Sequence, residues 1–189
     1  MKYRKRLLTL IPILLLSFLF YLSEDDLDNE QASKSNTLNP TKPSAFTENS
    51  QFTIYNELGF STTVNSKQAR YFSTQNLIKI TSPLIELVTI KGDNVSISAQ
   101  NGEYFSNTEI LTLRGDVIIT QVFPNNKTRV MKSQEFSYNS STHFLSTKYA
   151  VEIEQNSSII NAIGLNAWIN EHKIDLLSKV RGHFEVTNI

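Results

Sequence analysis

The feature that most restricts this chain is an internal repeat. Val64-Asn65-Ser66, Tyr71-Phe72-Ser73 and Ile78-Lys79-Ile80 return thirty-three residues later, in order and without a gap, as Ile97-Ser98-Ala99, Tyr104-Phe105-Ser106 and Leu111-Thr112-Leu113. A further shift of thirty-four brings Met131-Lys132-Ser133, Tyr138 and Leu145, with Val151-Glu152-Ile153 answering Val117-Ile118-Ile119. A fourth copy, weaker at its start, ends in Phe184-Glu185-Val186. A period of this size means one supersecondary unit stacked on copies of itself. Short alternating apolar runs are separated by Asn, Ser, Gly and Thr clusters, and no stretch sustains a helical apolar period. Each copy therefore reads as strand, turn, strand. One hairpin cannot bury its apolar face alone, so about four such units must share a core, and the predicted class is all-β.

The last strand shows the alternation most clearly. Ile174, Leu176, Val180, Phe184 and Val186 occupy one parity, while Lys173, Asp175, Lys179, Arg181, His183 and Glu185 occupy the other, with Leu177 the exception. Ile163, Leu165, Ala167 and Ile169 continue the pattern on the strand before. Side chains alternate across a strand, so one face is apolar and the other solvated. From the residues alone, that apolar face is either the packed core of a sandwich or the lining of an open groove suited to acyl chains. Gly115 and Gly182 stand at equivalent repeat positions, where Gly permits a bulge or sharp twist; the first copy has Ser82 there and the third Tyr149. A stacked sheet also has two unpaired edges. The first strands, Phe52 to Tyr55 and Phe60 to Val64, and the last, Ile174 to Val186, carry no Pro, and of these only the last carries charge. Such edges are open to pairing with another chain.

The repeat starts only after a different kind of segment. Residues 1–6 are a basic tip, and Leu7 to Leu22 is an almost unbroken run of Leu, Ile and Phe, interrupted by Thr9, Pro12 and Ser17. As a helix it spans about 24 Å, slightly under a bilayer core, with Tyr3 and Tyr21 available at the interfaces. Glu24, Asp25, Asp26, Asp28 and Glu30 follow. Basic residues before and acidic residues after predict a single-pass inner-membrane anchor over 7–22, N-terminus in the cytoplasm, the bulk of the chain outside it. Phe20 and Tyr21 fit a signal-peptidase site badly, so the segment is read as an uncleaved anchor. Residues 23–50, rich in Ser, Asn, Thr and Asp, are expected to be a polar linker, and 51–189 the folded domain.

Chemistry is hard to find. The chain carries 18 basic and 18 acidic residues, which gives no reason to expect a polyanion partner, and no cysteine. His143, His172 and His183 have no metal-ligand spacing, and no nucleophile elbow, phosphate-binding loop or dinucleotide turn occurs. No enzymatic activity, metal or cofactor is expected.

Four motifs, in order, resemble the LptC family, the bitopic component of the lipopolysaccharide transport bridge. They are Tyr55-Asn56 with Gly59; Tyr71-Phe72-Ser73 followed by Pro83; Leu111-Thr112-Leu113-Arg114-Gly115-Asp116-Val117; and the closing Lys179-Val180-Arg181 with Phe184-Glu185-Val186, the most specific of them. Length, anchor and linker match as well. The resemblance implies an open, twisted β-jellyroll whose interior takes lipid A acyl chains. It implies three partners: lipopolysaccharide, the permease subunits of an inner-membrane ATP-driven extractor, and a soluble periplasmic bridge protein of the same fold. Carried over, the groove would be lined by Ile80, Leu113, Val117, Val151, Ile153, Ile174, Leu176, Val180 and Phe184. Phe52, Ile54, Gly59, Phe60 and Val64 would face the extractor, and Arg181, Phe184 and Val186 the soluble partner. A membrane-anchored periplasmic scaffold that binds only proteins is the alternative.

Overall fold

The structure, a computed structural model, describes residues 42–55, 61–89, 92–169, 171 and 173–184. The expected anchor over 7–22, and the linker as far as residue 41, lie outside the described residues. The chain forms β1 (Ala45–Tyr55), β2 (Ser61–Phe72), β3 (Leu77–Thr81), β4 (Leu84–Val88), β5 (Asn94–Ser98), β6 (Asn101–Phe105), β7 (Ile110–Val122), β8 (Thr128–Asn139), β9 (Phe144–Gln155), β10 (Ser158–Trp168) and β11 (Lys173–His183). The first strand starts at Ala45, inside the span expected as linker, so the folded part begins earlier than residue 51.

All pairings are antiparallel and join the strands into one 11-stranded sheet. The repeat explains the register. Each copy adds a hairpin, so equivalent residues fall on one cross-strand row, two strands apart. Val64, Ile85, Ile97, Ile119, Met131, Ile153 and Ile160 form such a row across β2, β4, β5, β7, β8, β9 and β10. Tyr71, Ile78, Tyr104, Leu111, Tyr138, Leu145, Ala167 and Ile174 form another across β2, β3, β6, β7, β8, β9, β10 and β11.

The sheet is doubled over. β2 pairs with β4 through its first half and with β3 through its second, while β7 pairs with β6 and then β5. The two long strands thus belong to two half-sheets, or leaves, and the short strands to one each. Buried residues of both leaves, among them Leu113, Phe136 and Leu165 from one and Val117, Val151 and Ile153 from the other, form a single core cluster. Two leaves that share one core face each other. Between them runs a line of irregular backbone. It passes through left-handed residues at Asn49, Ser82, Gly115, Asp116, Gly164 and Lys179, and through register shifts between β7 and β8, β8 and β9, β9 and β10, and β10 and β11. Bulges bend a strand and increase its twist, and here the register shifts fall at one level across β7 to β11.

Two expectations are corrected by this line. Ser82 and Gly115 lie on it, but Gly182 does not have a left-handed backbone; in β11 the irregular residue is Lys179. On β10 the apolar parity changes at Gly164. Leu165 and Ala167 face the core on one side of it, Ala162 on the other, and Ile163 is left 37% exposed on the outer face. Ser133 and Thr147 are a buried polar pair at the fold line. Their hydroxyls lie 3.2 Å apart, Ser133 Oγ donates to the Ala150 carbonyl at 2.9 Å, and Thr147 Oγ1 accepts from the Tyr149 amide at 3.2 Å. The clasp satisfies these polar groups in the core and ties β8 to the bulge of β9.

Candidate functional site

All nine residues expected to line a groove lie on the inner face, but not in equivalent surroundings. Leu113, Val117, Val151 and Ile153 are buried, with Val117 at 0% exposure, and Leu176 packs against the cluster they form. Ile80 is half-buried opposite Gly102. Ile174, Val180 and Phe184 are 43%, 52% and 63% exposed. The cause is position: β11 pairs only with β10, so its inward side chains have neighbours on one flank alone. The interior is therefore solid at its centre and open at the β11 end. A Cβ on Gly182 would fall 2.7 Å from Cε2 of Phe184, so the Phe184 ring occupies the space left by the missing side chain.

Away from the fold line the last inward row of each leaf before the turns mixes polar side chains with apolar ones. One lip carries Tyr71, Tyr104 and Tyr138. The Tyr138 phenol is 3.0 Å from His143 Nδ1, and burial holds its pKa above the usual phenol value. Tyr104 is raised as well, first by burial and then by the charge of Glu109, against a hydrogen bond with Ser140. The other lip carries Gln121, Arg129 and Gln155 on adjacent strands. Arg129 Nε donates to Gln155 Oε1 at 2.9 Å, its guanidinium stands 5.2 Å over the Phe123 ring, and Gln121 Nε2 donates to Asp93 Oδ2 at 2.9 Å. An apolar interior with polar groups at its lips suits an amphiphile, its chains inward and its head outside.

The sheet edges are β1 and β11. Phe52 is half-buried on β1, whereas Val64 lies on β2 between β1 and β4, so its backbone is already paired. Ile54 is on β1; Gly59, Phe60 and Val186 lie outside the described residues. Arg181 is on the outer face of β11 and exposed.

Sequence reasoning missed Arg129, which sits on the inward parity of β8 among Met131 and Ser133. A charged residue on an otherwise apolar parity was the available signal. A cleft of about 360 Å³ was also unforeseen; it lies on the outer face, lined among others by Thr63, Glu86, Asn94, Ser96 and Thr120. Among the described residues no three His, Asp or Glu side chains converge on a metal site, and no helix is long and apolar enough to cross a membrane.

The solved structure of LptH from Pseudomonas aeruginosa, titled as the LptA-homologous periplasmic component of the conserved lipopolysaccharide transport device, is similar to this chain. The TM-score is 0.54 with 8% sequence identity, covering 66% of this chain and 95% of that one, so the likeness is one of fold. No curated protein matches the sequence. The family model described as "Lipopolysaccharide-assembly, LptC-related" matches residues 9–185, nearly the whole length. The chain belongs to the LptC-related family of lipopolysaccharide-assembly proteins.

Proposed function

We propose that, within the lipopolysaccharide transport system to which its family belongs, this chain receives lipopolysaccharide from the inner-membrane ABC extractor and passes it to the soluble bridge protein. Residues 7–22 anchor it in the inner membrane, with residues 1–6 cytoplasmic and the β-domain periplasmic. The β1 edge meets the permease subunits of the extractor. The β11 edge pairs with the bridge protein, and acyl chains pass along the inner face. One observation carries this reading: the apolar inner face reaches the unpaired β11 edge and is uncovered there, at Ile174, Val180 and Phe184. An edge with an exposed apolar flank aligns the interior of one domain with that of the next.

The packed centre favours the second reading, a scaffold that binds proteins alone. Site-specific photocrosslinking in cells separates the two. A photoreactive residue at Ile174 or Phe184 is expected to capture lipopolysaccharide well above the level at the outward Arg181. Equal capture at all three positions rejects the lining assignment and leaves the scaffold.

A further inference from the structure

We propose that Arg129 binds a phosphate ester on the head of the lipid whose chains occupy the interior, an inference that rests on the carrier reading above. The starting point is an unmatched charge. Among the described residues, Lys79, Arg114, Lys132 and Lys173 have carboxylate partners. The Lys and Arg side chains without one are exposed, except for Arg129, which is half-buried. Partial burial of a cation without a counter-ion is unfavourable, and an anionic ligand removes the penalty.

Placement gives the ligand its chemistry. Arg129 pairs across the strands with Gln121 and Gln155, on the inward row, at the lip where the apolar interior ends. The neighbouring acid makes no ion pair with it; Asp93 Oδ2 accepts a hydrogen bond from Gln121 Nε2. Gln155 takes one guanidinium proton, through Nε, and the Phe123 ring supports the plane of the group. Of the five guanidinium N–H donors, those on the two Nη atoms have no side-chain partner among the described residues. A planar fork of free donors beside an apolar interior matches a tetrahedral oxyanion attached to acyl chains. The repeat marks the position as special: the equivalent residues in the first two copies, on the same row, are Thr62 and Val95.

The test measures binding of lipid A, and of the same lipid after phosphatase treatment, to the full-length protein in detergent. Wild type, Arg129→Gln, Arg129→Lys and, as an exposed control in the neighbouring turn, Lys127→Gln are compared. Charge-assisted hydrogen bonds of this kind predict about a tenfold preference of wild type for the phosphorylated lipid. Arg129→Gln should lose the preference while still binding the dephosphorylated form as wild type does. Arg129→Lys should keep part of it, and Lys127→Gln all of it. Absence of a preference in wild type overturns the proposal without recourse to any variant. A preference that survives Arg129→Gln also overturns it; in both cases the carrier reading stands. Failure of wild type to bind either lipid overturns the carrier reading along with it. Displacement of the lipid by an equal concentration of inorganic phosphate would make this a free-anion site and overturn the assignment to a lipid head.

Discussion

Gly164 tests the fold line directly. Its φ of +79° is one that a side chain makes costly, and a Cβ built there falls 2.8 Å from Leu177 Cδ1 and 3.2 Å from Leu177 Cβ. Two costs follow from Gly164→Ala. The left-handed backbone costs about 1–2 kcal/mol. The steric clash adds roughly 1 kcal/mol, because Leu177 is 54% exposed and its tip can swing away while its Cβ cannot. The total is about 2–3 kcal/mol. Urea titration of the intact protein in detergent reads it, followed by the fluorescence of Trp168, the single tryptophan, on the same strand. With a slope of about 2 kcal/mol per molar, the midpoint should fall by roughly 1 M. Leu177→Ala alone should cost well under ~1 kcal/mol. In the double variant the contacts with Leu177 Cδ1 and Cγ are gone while the contact with its Cβ and the backbone part remain, so only part of the steric cost is relieved, a coupling of about 0.5 kcal/mol. A Gly164→Ala protein within ~0.5 kcal/mol of wild type would refute the claim that the bend depends on this backbone.

Phe136, 1% exposed between the leaves, should cost about 3–5 kcal/mol on truncation to Ala in the same titration, whereas a surface role would leave the midpoint unchanged. Glu103 is held below the usual carboxylate range, first by its hydrogen bond from Arg114, against burial, and then by Lys79. Its pKa is lowered on folding, so it stabilises the fold above the ordinary carboxylate value and loses that contribution as pH falls through the folded pKa. Because the cluster is largely solvated, Glu103→Gln should flatten the acid limb of a stability–pH curve by about 1 kcal/mol at most, and high salt should erase the difference. An undiminished acid limb in Glu103→Gln counts against the ion pair. Deleting residues 174–189 from the tethered protein should abolish capture of a soluble β-repeat partner from periplasmic extract; equal capture by the folded, truncated protein assigns the contact elsewhere.

The repeat was legible because strand pairing copies sequence spacing into cross-strand rows. Once Tyr71, Tyr104 and Tyr138 were seen to be equivalent, their common row followed from a hairpin of fixed length. The two-leaf arrangement was not legible. It depends on β2 and β7 changing partners halfway along, which no local alternation records. Nor was the parity change on β10, since Gly164 reverses the side-chain direction in the middle of a run that reads Ile163, Leu165, Ala167 at constant spacing. Gly182 misled for the opposite reason: it holds a repeat-equivalent position, but its space is taken by Phe184 rather than by a bulge. The residues proposed to line a groove were legible as one face; which of them are packed and which are open depends on how many strands flank them. Arg129 stood in plain view as a charge on an apolar parity.

The packed centre sets terms for any lipid that moves through the interior. Transfer of a ~12-carbon chain out of water contributes about 0.8 kcal/mol per CH₂, but a chain leaving a bilayer for this interior is in apolar surroundings at both ends. That gain therefore cancels. What remains is the dispersion attraction among Val117, Phe136 and Leu165, given up as they separate, set against their attraction to the incoming chain, which is similar in kind and density. Occupancy by lipid is then close to neutral exchange, neither a trap nor a barrier, and a neutral path confers no direction. Net movement towards the β11 edge must be driven by energy released elsewhere, which on the proposed reading is ATP hydrolysis by the extractor. A variant whose core is made permanently looser, such as Phe136→Leu, should accordingly change how fast lipid crosses this domain and leave the direction untouched. The check is the ratio of forward to reverse lipid transfer between donor and acceptor proteins, measured with and without ATP. A direction that shifts with core packing alone would show that the interior itself biases transport.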